Sequence, residues 1–365
     1  MWTPDSHLTP ALFERYPQLV DRVPWTPLGS YPTPVSRLSH LTRELGSVEI
    51  WAKRDDRAGA LYGGNKVRKL EFVLADAQER EARRVWTIGG VGSHQVLATA
   101  IYARSLAISS AAVVFPQPRT DHVRQVLHAI VETGCDLQPA RHMLTVPVAS
   151  ARLVARLTAG DGGVPYLVPP GASSALGALG YVSAALELAG QIRDGECPQP
   201  EAIFTPLGSM GTAAGLLVGL RLAGLSIPVH CVRVVAAPLA PPSRLAALCR
   251  DTAALLRRHG VQVPGTFRSS ELLVEHGYVG RGYGYPTAAG RAALAAAAAD
   301  DIDLETTYTG KAMAGLMAHV VGRRPGWRRV LFWNTFSSVS LTPRTDLAQA
   351  RARLPEPIRS FLSDV

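Results

Sequence analysis

Hydrophobic and polar positions along the chain alternate between two periods. Short apolar or β-branched runs end in Gly or small polar loops, and stretches with helical spacing follow them. Val48 to Lys53 predicts a strand, and Val67, Leu70, Val73, Leu74 and Ala77 form the stripe of a helix. Arg84 to Ile88 predicts a strand closing in Gly89-Gly90, with a helix from Gln95 to Leu106; Ser110 to Phe115 and Asp121 to Thr133 repeat the unit. The rhythm continues with the strands Tyr166 to Val168, Ala202 to Thr205 and Val229 to Val235 and the helices Leu176 to Ile192, Thr212 to Leu222 and Ser243 to His259. Helices over Thr287 to Ala299 and Gly310 to Val321 and a strand over Arg329 to Trp333 complete it. The first 45 or so residues read as irregular, with Pro24, Pro27, Pro32 and Pro34 marking turns.

Repeated strand–loop–helix units predict an α/β fold of open, twisted parallel sheets with helices on both faces. The strands are too many for one compact sheet of this kind, which predicts two domains. No fixed-period repeat and no long linker marks a boundary between them.

Composition narrows the class. With 365 residues, 47% hydrophobic and 18% charged, the chain can bury two cores and is not a disordered one. The formal charge of +9 comes from scattered arginines, with no basic block and no aromatic–basic stripe. It predicts a solvated basic surface that attracts anionic small molecules, and no nucleic-acid partner. Cys135, Cys197, Cys231 and Cys249 show no CxxC or Cys/His spacing, so reduced thiols and no metal site are expected. The start, Met1-Trp2-Thr3-Pro4-Asp5, lacks the basic-then-apolar pattern of a secretory signal, and stretches such as Ala292 to Ala299 are too short to span a bilayer. A cytoplasmic protein with no membrane partner is the expectation.

In open α/β sheets, ligands bind beyond the carboxyl ends of the strands, where Gly-rich loops enter helices. Four segments compete for that position: Gly63-Gly64-Asn65-Lys66, Gly89 to Gln95, Gly208-Ser209-Met210-Gly211-Thr212, and Asn334 to Ser338. The Gly208 loop follows a strand and opens an apolar helix. Its N–H groups, the helix dipole and the Ser209 and Thr212 hydroxyls suit an anion, although a plain tight turn fits the same pattern. It is neither a Walker A loop nor a clean GxGxxG. Lys66 stands at a helix start rather than in a solvated middle. A positive helix end and a low-dielectric pocket favour its neutral, nucleophilic amine, whereas an ordinary surface lysine near an N-cap is the plainer alternative. Lys69 lies on nearly the same helical face and offers a second cation. Ser93, His94 and Gln95 close another strand–loop–helix turn; they suit a carboxylate, or simply an N-cap serine beside a partly buried histidine.

Together these segments resemble the family of ACC (1-aminocyclopropane-1-carboxylate) deaminase and D-cysteine desulfhydrase, of the tryptophan-synthase-β fold type (fold type II) of pyridoxal-phosphate (PLP) enzymes. The resemblance runs in order through Phe13 to Val35, Ala52 to Asp56, Gly63 to Glu71 (GGNKVRKLE), Ile88 to Gln95 and Pro170 to Tyr181. It continues through Gly208 to Gly219, Tyr283 to Pro286, Tyr308 to Leu316 and Val330 to Thr335. The GGNKVRKLE run is highly specific; the other segments are individually modest.

The resemblance implies that Lys66 is the Schiff-base lysine and that Lys69 meets the cofactor phosphate. Gly208, Ser209, Gly211 and Thr212 would form the phosphate loop, with Asn65 organising it. Ser93 would lie over the substrate carbons, and the backbone of Ser93, His94 and Gln95 would hold the carboxylate. Tyr283 and Tyr308 match two active-site tyrosines. The implied large PLP-binding domain is 1–66 with 176–365, and the inserted small domain is 67–175, with PLP in the cleft between them. A homodimer is implied as well.

Three positions depart from the family pattern. His94 replaces an Asn beside the ring hydroxyl, and Phe336-Ser337 replaces the Gly-Gly after Thr335, which predicts a narrower pocket. Thr309 stands where the deaminase has a Glu facing the pyridine nitrogen, as in the desulfhydrase branch. A hydroxyl holds that nitrogen protonated far less well, which tilts the expectation away from cyclopropane opening. The expected function is a lyase or deaminase that removes the α-proton of a small amino acid and eliminates a β-substituent, giving a 2-oxo acid and ammonia. The alternatives are ACC deaminase, a specialised lyase or β-replacement enzyme of secondary metabolism, and, outside the class, a non-catalytic phosphate or nucleotide binder.

Overall fold

The computed structural model describes residues 9–46, 48–322, 326–342 and 345–363. The Met1–Asp5 stretch lies outside them. In chain order the elements begin with α1 (Ala11–Arg15), β1 (Val35–Arg37), α2 (Ser39–Leu45), β2 (Glu49–Lys53) and α3 (Asn65–Glu79). Next come β3 (Arg84–Gly90), α4 (His94–Ser105), β4 (Ser109–Phe115), α5 (Asp121–Glu132), β5 (Asp136–Pro139), α6 (Val146–Asp161) and β6 (Tyr166–Leu167). Then follow α7 (Ala175–Arg193), β7 (Ala202–Leu207), α8 (Gly211–Leu222), β8 (Val229–Arg233), α9 (Pro242–Arg258) and β9 (Leu273–Glu275). The last are α10 (Ala288–Ala298), α11 (Thr309–Val321), β10 (Arg329–Trp333), α12 (Leu347–Ala352) and α13 (Glu356–Arg359).

Two compact units result, one of Met1–Phe72 with Ser173–Ser338 and the other of Val73–Ala172 with Val339–Val365. The first holds a six-stranded sheet in the order β1-β2-β10-β7-β8-β9, parallel except for β1, which pairs antiparallel with β2. Its strands are apolar on both faces because both are covered. Along β10, Leu331 and Trp333 enter the core built with α1, α7, α8 and α9, whereas Val330 and Phe332 enter the core built with α2, α10 and α11. Helices α7 and α8 pack backbone to backbone: a Cβ on Gly215 would stand 2.3 Å from the Ala178 carbonyl oxygen. Among the described residues α7 alone is long and apolar enough to cross a membrane, but 67% of its apolar window is buried, which makes it a core helix.

The second unit has a four-stranded parallel sheet, β5-β4-β3-β6. Trp86, Ala111 and Val113 pack with Ala149, Leu153 and Leu157 of α6 on one side. The closing segment, which the sequence reading grouped with the larger domain, belongs to this unit. Helix α12 packs on α5, Thr345 N–H donates to Glu132 Oε1 (2.7 Å), and Arg119 donates to Ser360 Oγ (2.8 Å).

Several elements escaped the periodicity. β1 and α2 lie at the end of the Pro-rich start, and α6 opens on Val146-Pro147-Val148, which mimics an extended segment although Pro suits a first helical turn. β5 ends in Pro139 and is an edge strand, the one place where a sheet tolerates a missing donor.

Candidate active site

Helix α3 starts over a buried ionic network. Arg68 donates through Nη1 and Nη2 to both oxygens of Glu187 (2.9 and 3.0 Å) and through Nε and Nη2 to Asp55 Oδ1 (3.1 and 2.8 Å). Lys53 Nζ also reaches Glu187, while Tyr181 Oη (2.6 Å) and Trp333 Nε1 (2.7 Å) donate to Asp55 Oδ2. Burial alone would raise the Glu187 carboxyl, but Arg68 and Lys53 outweigh it and hold the pKa at about 2. The network ties β2, α3, α7 and β10 together, so the residues at the head of α3 project from a rigid base.

Those residues face the head of α8. Lys66 Nζ donates to Asn65 Oδ1 (2.5 Å), and Asn65 Nδ2 donates to Thr212 Oγ1 (3.0 Å). One amide therefore joins the amine to the first turn of the Gly208 loop helix. Desolvation pulls the pKa of this partly exposed lysine down to about 8, against the opposing pull of Glu305. Lys69 is fully buried, and its Nζ has no hydrogen-bond partner among the described residues. Burial first, then the charge of Lys66, pulls its pKa well below the usual lysine value.

In the Gly208 loop, Met210 takes the left-handed conformation (φ 72°), which turns the chain into α8, and its own side chain makes no cap bond. Ser173 Oγ accepts from Gly211 N–H (3.1 Å) and donates to Ser209 Oγ (2.8 Å). A Cβ on Gly211 would stand 2.6 Å from that Ser173 oxygen, and one on Gly208 would stand 3.1 Å from Tyr308 Cε1.

Tyr308 and Tyr283 share a hydrogen bond between their hydroxyls (2.7 Å). Burial pushes the Tyr283 phenol up to about 12 and the Tyr308 phenol well above its usual value. Glu305 organises the head of α11: its carboxylate accepts from the N–H groups of Thr307, Tyr308 and Thr309 (2.7, 2.8 and 2.8 Å). The Thr309 hydroxyl is engaged in the same turn, accepting from Glu305 N–H (2.9 Å) and donating to Glu305 Oε1 (3.2 Å). Lys311, buried below, donates to the Val279 carbonyl (2.8 Å) and so anchors the loop that leads to Tyr283.

The end of β10 closes the Gly63 loop. Thr335 carbonyl accepts from Asn65 N–H (3.1 Å), Ser337 Oγ accepts from Gly63 N–H (2.9 Å), and a Cβ on Gly64 would stand 2.5 Å from the Phe336 carbonyl. At the Gly-Gly departure, Ser337 therefore contributes a hydroxyl that holds the loop ahead of Lys66.

The structure thus links Asn65, Lys66, Gly208, Ser209, Gly211, Thr212, Tyr283, Tyr308, Thr309 and Thr335 within one unit, with Lys69 beneath them one turn further along α3. Ser93, His94 and Gln95 belong to the other unit and form their own group. Ser93 caps α4 by accepting from Val96 N–H (3.4 Å), His94 Nε2 stands 2.8 Å from His122 Nε2, and Gln95 Nε2 donates to Thr99 Oγ1 (2.8 Å). The sequence reading missed Ser173, Glu305 and Lys311. For Glu305 a signal existed, an acidic residue just ahead of a helix start.

These residues fit a phosphorylated aldehyde. A buried lysine nitrogen with no hydrogen-bond partner among the described residues and the positive end of α8 suit an anion, and a depressed lysine amine stands beside them. The family model described as "Pyridoxal-phosphate dependent enzyme" matches residues 27–335. The chain is 33% identical to a D-cysteine desulfhydrase of Klebsiella pneumoniae over 314 residues, covering 84% of this chain and 92% of that protein. It is 34% identical to one of Salmonella schwarzengrund over 310 residues, covering 83% and 90%. Among solved structures, an ACC deaminase homologue superposes with a TM-score of 0.75 at 27% identity, covering 95% of this chain and all of that one. An L-serine ammonia-lyase from Rhizomucor miehei (TM-score 0.59, 20% identity, 89% and 98% covered) shares the fold. From the GGNKVRKLE helix to the Gly208 loop, the chain belongs to the family of pyridoxal-phosphate-dependent enzymes.

Proposed function

We propose that this enzyme cleaves the β-substituent from a small β-substituted amino acid, with D-cysteine as the first substrate to test; D-cysteine and water would give hydrogen sulfide, pyruvate and ammonia. The observation that carries this reading is the Lys66–Asn65–Thr212 chain beside the unpartnered Lys69. Lys69, Ser209, Thr212 and the first amides of α8 would hold the phosphate, and Lys66 would hold the aldehyde carbon. Bound there, the cofactor supplies an electron sink for charge developing at the α-carbon.

The chain's own groups move the protons. With its pKa lowered to about 8, the Lys66 amine has a far larger neutral fraction near neutral pH than an ordinary lysine, and it takes the α-proton. The paired phenols of Tyr283 and Tyr308 stay protonated, which suits donation to the departing sulfur. Ser93, His94 and Gln95 are the proposed holders of the substrate carboxylate. A cytoplasmic homodimer is part of the same proposal, on the strength of the family resemblance.

Borohydride treatment of the purified holoenzyme should attach the cofactor irreversibly to Lys66, located by peptide mass. Pyruvate release from D-cysteine should exceed 2-oxobutanoate release from 1-aminocyclopropane-1-carboxylate. A Lys66→Ala protein with full turnover overturns the mechanism, and faster cyclopropane opening replaces the substrate reading with the deaminase.

A further inference from the structure

His230 on β8, Glu275 on β9 and His319 near the end of α11 bring their ligand atoms within 4.8 Å of one another. Their side chains are mostly buried, 10%, 22% and 16% exposed. No motif announces them. The expectation of no metal rested on cysteine spacing, and these three lie 45 and 44 positions apart in sequence.

The polar atoms of this cluster converge on one carboxylate. His230 Nδ1 stands 2.7 Å from Glu275 Oε1 and donates to it. His319 Nδ1 stands 2.9 Å from the Gly315 carbonyl, which can only accept, so the His319 ring carries a proton on Nδ1. In the neutral ring Nε2 is then a lone pair, and it points at Glu275 Oε2 from 3.3 Å. Either a proton on that nitrogen or a metal ion bridges the two atoms, and the convergence of a third ligand atom from His230 favours the metal.

The geometry points to a divalent metal ion of the zinc class, bound by His319 Nε2, Glu275 and His230, with a fourth position left for water. On a tetrahedral ion with bonds of about 2.0–2.1 Å, two donors stand roughly 3.3–3.4 Å apart, the separation of His319 Nε2 and Glu275 Oε2. The ion displaces the proton shared by His230 and the carboxylate, and the His319–Gly315 bond holds the ring in the tautomer that a ligand needs. The surroundings suit such a site. Phe204 stacks on His230 (4.7 Å between ring centroids, 14°), and Trp327 stacks on His319 (6.3 Å, 17°), which restrains both rings.

The ion would not touch the reacting atoms. His319 lies 11 positions after Tyr308, about 16 Å along the helix axis. Its role is to clamp the last turn of α11 to β8 and β9.

Tag-free holoenzyme stripped with a chelator, dialysed against ZnCl2 and then against metal-free buffer should retain one zinc per chain by elemental analysis. CoCl2 in its place should give the visible bands of a low-coordinate Co2+ ion, and saturating zinc should raise the melting temperature by several degrees. The His230→Ala/His319→Ala double variant should lose the ion, and Glu275→Gln, which keeps the shape, should shift the Co2+ bands. His122→Ala, a change at the other histidine pair, should alter neither. Retention well below one equivalent, full retention by a folded double variant, or Co2+ bands unmoved in Glu275→Gln would overturn the assignment.

Discussion

Replacing Lys69 with methionine tests the phosphate reading through two effects of opposite sign. The lysine Nζ is fully buried with no hydrogen-bond partner among the described residues, and its pKa is pulled well below the ordinary value by burial and by Lys66. An unsatisfied buried donor costs about 1–3 kcal/mol, so methionine, of similar length and apolar, should stabilise the cofactor-free protein by that order. For a unit of this size, the melting temperature should rise by about 2 °C or more for each kcal/mol. With cofactor, the sign reverses. A charged hydrogen bond to phosphate contributes about 1.5–3 kcal/mol, and its loss should weaken PLP binding roughly 10- to 150-fold. The assays are thermal melts of apoprotein and fluorescence titration with PLP, run on wild type and Lys69→Met side by side. An apoprotein that melts lower than wild type, or one that binds PLP as tightly, would refute the reasoning, because either outcome means that this ammonium is not held in waiting for an anion.

Three further outcomes follow from the same geometry. Capture of PLP by apoprotein should speed up about tenfold per pH unit below pH 8 and level off above it, because Lys66 reacts as the neutral amine and its pKa is near 8; a rate still climbing at pH 10 would return Lys66 to ordinary solvent. Glu187 is held at about 2 against an ordinary 4.5, so its contribution is fully present above pH 4.5 and fades as pH falls toward 2, by about 3 kcal/mol in all. Glu187→Gln at pH 7 should cost 3–5 kcal/mol in urea unfolding, on the order expected when Arg68 and Lys53 lose a buried partner, and should flatten that acid slope. Gly211→Ala places a Cβ 2.6 Å from Ser173 Oγ, breaking the bond that sets the loop; PLP affinity should drop at least tenfold by equilibrium dialysis while the apoprotein melting temperature changes by only a few degrees.

Much of this architecture is legible in the residue pattern. Strands buried on both faces, such as Arg329–Trp333, announce themselves by unbroken apolar runs, and α3 by its stripe from Val67 to Ala77, all buried. Periodicity fails where the local sequence argues against the element that packing imposes, as in the proline-marked α6 and β5. Lys66 and the Gly208 loop were readable because their chemistry depends on neighbours in sequence. Ser173 and Lys311 were not, because their partners (Gly211 and the Val279 carbonyl) lie 38 and 32 positions away and are set by chain folding, whereas the amides that Glu305 holds lie only two to four positions beyond it. The Arg68–Glu187–Asp55 network shows the same limit: Arg68 stands within the most specific motif of the chain, yet its partners are 119 and 13 positions away. Thr309, expected to face the cofactor ring, also has a local task that spacing did not show: its hydroxyl bonds Glu305 in the turn that presents Tyr308.

The strand order gives the assembly a direction in time. β2, synthesised early, finds its parallel neighbour only in β10, and the loop carrying Gly63 to Asn65 is pinned by Thr335 and Ser337, some 270 positions later. Closing so long a span is entropically slow, and until it closes Lys66 has no fixed surroundings. A chain still emerging from the ribosome, or one cut short before residue 329, cannot present the reactive amine and the anion loop together. Cofactor uptake at Lys66, if it occurs as proposed, would therefore report that the six-stranded sheet has been completed by Arg329–Trp333.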